Sequence, residues 1–405
     1  MNSHEHSAVV YNNLMSAAAR FHDLYMSTLL DDIVPFWMRH GFDEKFGGIS
    51  NVLDESGNAL NHEKFLWSQG RALWTFSALC NRVENKEEWR KFADHLFHYL
   101  STQGRDERGY WMYRLDENGK VLDPDISIYV DGFALAGLTE YFTLTKNESA
   151  KTLALETYAT IAKRLSTPGS YGTAPYEIPA GLKPHGVAMM YSFFFFNAGE
   201  AFDNADIKNH GGKLASEILA DFYVPEKNAI LEYVALTGEY SNTPAGRACV
   251  PGHAIEVLWF LISMAERSGD NKRIARCCEL IERHLQLGWD EEFGGLKLAL
   301  DINGQEPIYW QRADCKPWWV QVEALVATAM AYRHTGDEKF LKWHERIQSW
   351  AWDHYPVPGG EWTQWLDRSG KHTQSAALPV KDPFHLPRAL MVLMETWQQI
   401  AEPRA

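Results

Sequence analysis

Leu53-Asp-Glu-Ser-Gly57 recurs along the chain as Leu115-Asp-Glu-Asn-Gly119, Leu300-Asp-Ile-Asn-Gly304 and Leu366-Asp-Arg-Ser-Gly370. Gly181 and Gly238 close turns in the same series without the Leu-Asp prefix, so the six glycines stand 62, 62, 57, 66 and 66 residues apart. A glycine-aromatic element precedes several of these turns: Gly41-Phe-Asp-Glu-Lys-Phe-Gly-Gly48, Gly109-Tyr-Trp111, Gly288-Trp-Asp-Glu-Glu-Phe-Gly-Gly295 and Gly359-Gly-Glu-Trp362. A period this long, repeated six times, marks a closed or stacked array of one supersecondary unit. It also implies that equivalent positions of the units converge on one place.

Between consecutive turns there is room for two helices. Residues 87–102 (Trp89, Phe92, Leu96, Tyr99) and 338–354 (Phe340, Leu341, Trp343, Ile347, Trp350) carry apolar side chains at helical spacing on one face only, as outer helices do. Segments beginning near Leu66, Tyr129, Gly186, Pro251, Pro317 and Pro387 are apolar all round and suit helices packed on both sides. With a first outer helix over 13–40, the pattern predicts twelve helices alternating outer and inner. Short strand-like pieces at 48–53, 110–115, 295–300 and 361–366 read as small hairpins joining outer to inner helices. The expected fold is all-α: six helical hairpins closed into two concentric rings, an (α/α)6 barrel. An open solenoid is the alternative, disfavoured because six is the closing number and because the first and fifth units share almost the same octapeptide.

Length alone allows two or three domains in 405 residues. The even repeat, without a Pro/Gly/Ser-rich break, predicts a single domain over 1–405. A hydrophobic share of 45% supports a large core, and a formal charge of −14 argues against nucleic acid and anionic membranes as partners. Residues 1–10 have neither the basic nor the apolar region of a signal peptide, and no apolar run reaches 18 residues, so a cytoplasmic location is the expectation. Five cysteines without C-x-x-C spacing suggest neither a disulfide framework nor a zinc site. The 16 tryptophans suit core packing and also offer stacking surfaces for sugar rings.

In a ring of this kind the inner helices all start at one face, and the unusual polar residues lie at those starts. They are Trp67, Gln69 and Arg71; Asp131; His185; His253 and Glu256; Trp318, Trp319 and Glu323; His385 and Arg388. Helix N-termini present unpaired N–H groups and partial positive charge, which disfavours imidazolium and stabilises an oxyanion. Histidines, carboxylates, an arginine and tryptophans gathered there make a proton-transfer site for a polyol. Arg71 within the apolar 66–73 segment needs a buried anion or several acceptors. His253-x-x-Glu256 shares a helix face; as a metal pair it lacks a second cluster to complete it, and no metal or cofactor is expected. The other thirteen histidines fall on outer helices, turns or the tail and read as structural or solvated.

At these residues the chain resembles the N-acylglucosamine 2-epimerase family, which includes renin-binding proteins, cellobiose 2-epimerases and mannose and sulfoquinovose isomerases. The segments that carry the resemblance are Trp67-Ser-Gln-Gly-Arg71, Val250-Pro-Gly-His253-Ala-Ile-Glu256, Lys316-Pro-Trp-Trp319-Val-Gln-Val-Glu323 and Phe384-His385-Leu-Pro-Arg388, within a match over 25–400. It implies the same barrel and places an acid/base histidine pair at His253 and His385. It also implies supporting carboxylates at Glu256 and Glu323, a cation at Arg71 and a stacking wall at Trp319. Trp67, Asp131 and His185 complete the expected substrate-binding set. Met190 follows Met189 where cellobiose epimerases and sulfoquinovose isomerases carry a further histidine, so the N-acylglucosamine 2-epimerase branch is the nearer one. The implied reaction is removal and return of the C2 proton of a free sugar through an enediolate. The expected substrates are N-acetylglucosamine and N-acetylmannosamine or a related hexose. An aldose-ketose isomerase, such as one for mannose and fructose, would use the same residues. A glycoside hydrolase using Asp131 with Glu256 or Glu323 and a non-catalytic sugar-binding protein are the readings of other classes. A homodimer is left open, and the stretches 167–183 and 240–250 are expected to read the C2 substituent or a second ring.

Overall fold

In a computed structural model, which describes residues 3–167, 169–307, 309–374 and 380–402 (side chains from Met15 onward), all six glycines of the series lie at positive φ. The values for Gly57, Gly119, Gly181, Gly238, Gly304 and Gly370 are 86, 84, 76, 90, 73 and 87°. A Cβ is strained in that region, so the period in the sequence is a period of left-handed turns. The aspartate ahead of the glycine fixes the turn through its own carboxylate. Asp54 Oδ1 accepts from the backbone N–H of Ser56 and Asn58, and Asp116 Oδ1 from Asn118 and Lys120.

Twelve helices alternate as the pattern predicts. The outer set is α1 (Ser3–Ser27, continued by π-helical turns at Thr28–Ile33 and Trp37–Gly41), α3 (Glu87–Gln103), α5 (Glu148–Leu165), α7 (Ala205–Glu217), α9 (Asn271–Gly288) and α11 (Glu338–His354). The inner set is α2 (Leu66–Arg82), α4 (Ile128–Thr145), α6 (His185–Ala201), α8 (Pro251–Ser268), α10 (Trp318–Thr335) and α12 (His385–Ala401). Each inner helix packs on the next, and α12 packs back on α2, so the ring is closed rather than solenoidal. The outer α1 lies on α12, where Phe21 meets Trp397 with ring centroids 4.6 Å apart. Tyr25 of α1 also hydrogen-bonds His344 of α11 at 2.6 Å. His344 and His284 are therefore core residues, as the structural reading of the outer-helix histidines allows.

The hairpins are shorter than expected. Only the ends of three predicted pieces form strands, Arg114–Leu115, Leu300–Asp301 and Trp365–Leu366, and 48–53 contributes only isolated bridges. Their main partners lie in the preceding unit: Lys64–Phe65, Ala248–Cys249 and Lys316–Pro317, each one or two residues ahead of an inner helix. The two-residue ladders thus stitch the first unit to the second, the fourth to the fifth and the fifth to the sixth. Beneath them, the first and fifth units repeat one buried bolt. Gln69 Oε1 accepts from Ile49 N–H at 2.7 Å while its Nε2 donates to Ile49 C=O at 3.1 Å; Gln321 does the same with Leu296 at 2.9 and 2.8 Å. Lys64, fully buried, donates to Asp43 at 2.6 Å, and Lys316 stands opposite Asp290 at 3.7 Å with Arg368 completing the charge at 2.9 Å.

The two rings also differ at their helix starts. Asn147, Asn204, Asp270 and Asp337 cap the outer helices α5, α7, α9 and α11 through their side chains. None of the six inner helices has a side-chain cap. Backbone carbonyls outside the helix take the first N–H of four of them instead: Leu66 donates to Tyr113 C=O, Ile128 to Gly172, His185 to Glu232 and Trp318 to Gln364.

Gln69→Leu keeps roughly the side-chain size but strands the buried Ile49 N–H and leaves the Ile49 C=O with Lys64 Nζ alone. We expect a loss of about 1–3 kcal/mol in unfolding free energy, read as a lower urea midpoint at unchanged slope.

Candidate active site

The uncapped starts of the inner helices enclose a cavity of ≈ 240 Å³. Trp67 and Arg71 reach it from α2, Met189 and Met190 from α6, His253 and Glu256 from α8, Trp318 and Trp319 from α10, and His385 and Arg388 from α12. Both histidines pack against Trp319. The His253 ring lies 5.0 Å from the indole at 27°, and the His385 ring 5.8 Å away at 37°.

Each imidazole is held through Nδ1 by a buried carboxylate, which leaves Nε2 for chemistry. His253 Nδ1 lies 2.9 Å from Glu232 Oε2, and His385 Nδ1 2.8 Å from Glu323 Oε1. The protonation preferences nevertheless diverge. Burial opposes the charged form of His253, but the Glu232 carboxylate, with Glu256 and Glu323 behind it, outweighs burial and raises its pKa. His385 is carried down to about 3 by burial and by the guanidiniums of Arg71 and Arg388, against the pull of Glu256. A pair whose environments push its members apart is the signature of an acid and a base.

Beneath His385, Arg388 Nη2 donates to Glu323 Oε1 at 2.7 Å and also to Glu256 Oε1. Glu323 Oε2 accepts from Trp259 Nε1 at 2.8 Å. Glu256, Glu323 and His385 offer potential ligand atoms within 4.8 Å of one another, but the guanidinium already lies between the carboxylates. Arg71 lies over Phe133, 4.0 Å from its ring centre, and donates to Asp382 at 3.1 Å. Four buried donors of cavity-lining residues find no acceptor among the described residues: Arg71 Nε, Arg388 Nε, Trp67 Nε1 and Trp310 Nε1. Buried donors are costly to leave unpaired, so the cavity is built for an acceptor-rich guest such as a polyol.

Of the expected residues, His253, His385, Arg71, Glu256, Trp319 and Trp67 line the cavity, and Glu323 lies directly below it, fully buried. Two are corrected. Asp131 points away, into an ion pair with Arg164 of α5 at 3.2 Å, and burial raises its pKa to about 7. His185 is buried against Phe222, ring centroids 5.4 Å apart, and burial lowers its pKa to about 3. The stretch 240–250 contributes nothing to the lining, whereas 167–183 contributes Thr173, Pro175 and Tyr176. Sequence reasoning missed Glu232, Asp382 and Trp310. The signal for Glu232 was a lone acid in the apolar run Ala229-Ile-Leu-Glu-Tyr-Val-Ala235.

Glu232→Gln removes the charge that outweighs burial, so the His253 pKa falls below 6.5; an NMR titration of the imidazole signals reads the shift. Buried histidines also set the acid stability. His185, His344 and His385 are held to about 3 and His284 to about 4, so each stays neutral in the fold while its unfolded counterpart protonates near 6.5. Their contribution is complete above about pH 6.5 and is lost as pH falls toward 4 and below, which denaturant midpoints across that window measure.

The chain matches the family model described as N-acylglucosamine 2-epimerase over residues 47–389. It is 28% identical over 383 residues to the N-acylglucosamine 2-epimerase of Bos taurus, covering 90% of this chain and 89% of that protein. To the cellobiose 2-epimerase of Dictyoglomus turgidum it is 28% identical over 331 residues, covering 78% and 82%. The solved cellobiose 2-epimerase of Bacillus thermoamylovorans superposes with a TM-score of 0.81 at 22% identity, over 93% of this chain and 99% of that one. No helix among the described residues is long and apolar enough to cross a membrane. With an uncapped helix mouth, two carboxylate-held histidines and a match over most of its length, the chain belongs to the N-acylglucosamine 2-epimerase family.

Proposed function

We propose that the chain is a sugar 2-epimerase that moves the C2 proton of a free, uncharged hexose of the N-acylglucosamine type. The observation that carries this reading is the pair His253 and His385, both in ring contact with Trp319 and each held by its own carboxylate, with protonation preferences displaced in opposite directions. Once the sugar ring opens, the C1 carbonyl acidifies the C2–H. Neutral His385 takes that proton, and the bonding pair flows through C1–C2 onto O1, giving an enolate (an enediolate when C2 carries hydroxyl). Arg71, whose Nε has no acceptor among the described residues, holds the oxyanion, whose charge in turn stabilises the imidazolium just formed on His385. Protonated His253 returns a proton to C2 from the other face, and the configuration inverts. The reverse reaction exchanges the two roles.

Two features support the substrate class. Asp382 neutralises Arg71, and Glu256 and Glu323 neutralise Arg388, so the two guanidiniums give the site no surplus positive charge for a sugar phosphate. Met189, Met190, Phe133 and Phe194 line one wall with apolar atoms that suit the methyl of an acylamino group. A 2-acetamido sugar cannot become a ketose simply, because C2 carries nitrogen. The hydrolase alternative finds no free carboxylate pair, since Asp131 faces Arg164 and the two glutamates share Arg388.

Incubation with N-acetylmannosamine, N-acetylglucosamine, mannose, glucose and fructose in D2O, followed by NMR, tests the reading. Deuterium is expected at C2 of the epimer. Interconversion of mannose with fructose would make the chain an aldose-ketose isomerase, and a lack of exchange in every sugar would refute proton transfer altogether. His253→Ala and His385→Ala should each lower kcat by about 10²–10⁴-fold.

A further inference from the structure

Two loops meet above the cavity. Thr173, Pro175 and Tyr176 come from the segment that leads into α6, and Trp310 from the segment that leads into α10; all four line the cavity. In the ring α8, which carries His253, lies between those helices, so a contact between the loops crosses the mouth above the His253 helix. That contact is aromatic. Tyr176 packs on Trp310 with ring centroids 5.3 Å apart, and Tyr309 meets Tyr233 edge-on at 5.4 Å. Tyr309 also donates its hydroxyl to Glu177 C=O at 3.4 Å. Each loop is fixed by its own bonds: Thr173 Oγ1 donates to Tyr176 C=O at 2.7 Å, and Arg312 donates to Thr373 Oγ1 at 2.6 Å and to Gln374 C=O.

Resting on the epimerase reading, we propose that Tyr176 and Trp310 roof the cavity over a single hexose ring. Trp310 donates its buried, unpaired indole N–H to a hydroxyl of that ring, and the roof excludes a second sugar attached at the mouth-facing end. The reacting C1 and C2 sit between the histidines, so C4, across the six-membered ring, faces the mouth. A volume of ≈ 240 Å³ is below the about 300–1,000 Å³ of pockets for larger ligands. The indole N–H lacks an acceptor among the described residues, and a sugar hydroxyl would supply one.

C2 exchange in D2O is measured for two single rings, N-acetylmannosamine and mannose, and for two 4-linked disaccharides, cellobiose and N,N′-diacetylchitobiose. The natural chain should act on the disaccharides with a kcat/KM about 100-fold or more below its better single ring. Trp310→Ala and Tyr176→Ala should narrow that gap at least roughly tenfold by gaining disaccharide exchange. Trp310→Phe keeps the roof but loses the N–H, and should raise KM for the single ring roughly tenfold at unchanged kcat. Disaccharide exchange by the natural chain as fast as that of a single ring would overturn the roof and leave the epimerase reading intact. An unchanged KM in Trp310→Phe would overturn the hydrogen bond. No exchange in any of the four sugars would remove the epimerase reading and the roof's role with it.

Discussion

The guanidinium of Arg388 is the contact on which the reactive end of the barrel depends. Through Glu256 and Glu323 it ties α12 to α8 and α10, and Glu323 passes the tie on to Trp259. Two carboxylates could not stand buried side by side without it, because each would face the other's charge in a medium that screens weakly. It also decides what Glu323 does for His385. A carboxylate alone at 2.8 Å would hold the imidazole protonated; one whose charge is shared with arginine orients the ring and leaves it neutral. His253 has the opposite arrangement, since Glu232 carries no guanidinium among its described partners and its charge falls on the imidazole.

Much of the fold was legible because left-handed turns leave a mark that few other structures leave. Glycine is needed there whatever surrounds it, so six glycines at near-constant spacing reported six equivalent units. The sequence also told at which end of each inner helix the chemistry lies. It did not tell which face. Side chains advance about 100° per residue around a helix, and the polar residues stand at different distances from their helix starts: His385 is the first residue of α12, His253 the third of α8, Asp131 the fourth of α4 and Arg71 the sixth of α2. Asp131 and His185 share the level of the site but turn outward, toward Arg164 and Phe222. Glu232, Asp382 and Trp310 lie where no period runs, in segments whose course is set by contacts with other units. That is why they were not found.

Inner and outer helices divide the work of stability and function. Four of the outer helices, α5, α7, α9 and α11, close their N-termini with Asn and Asp side chains. Of the inner helices, α2, α8 and α10 enter from two-residue ladders and α6 from a three-residue one; none has a side-chain cap, and the first N–H of α2, α4, α6 and α10 goes to a backbone carbonyl outside the helix. Fully buried Lys64 and Gln69, repeated as Lys316 and Gln321, absorb the cost of this arrangement under the first and fifth units.

The seating of the two imidazoles has a consequence for proton traffic. Each holds a separate carboxylate through Nδ1, Glu232 or Glu323, and no hydrogen bond among the described residues joins one ring to the other. In a two-base inversion each turnover therefore leaves the enzyme with its protons on the wrong partners: His385 charged and His253 neutral. The next molecule of the same epimer must wait for solvent to restore them. The electrostatics make that reset downhill, because Glu232 draws the proton back to His253 while Arg71 and Arg388 expel it from His385. The free enzyme is thus a spring that relaxes toward one direction of catalysis, and at saturating substrate its recocking becomes part of the catalytic cycle.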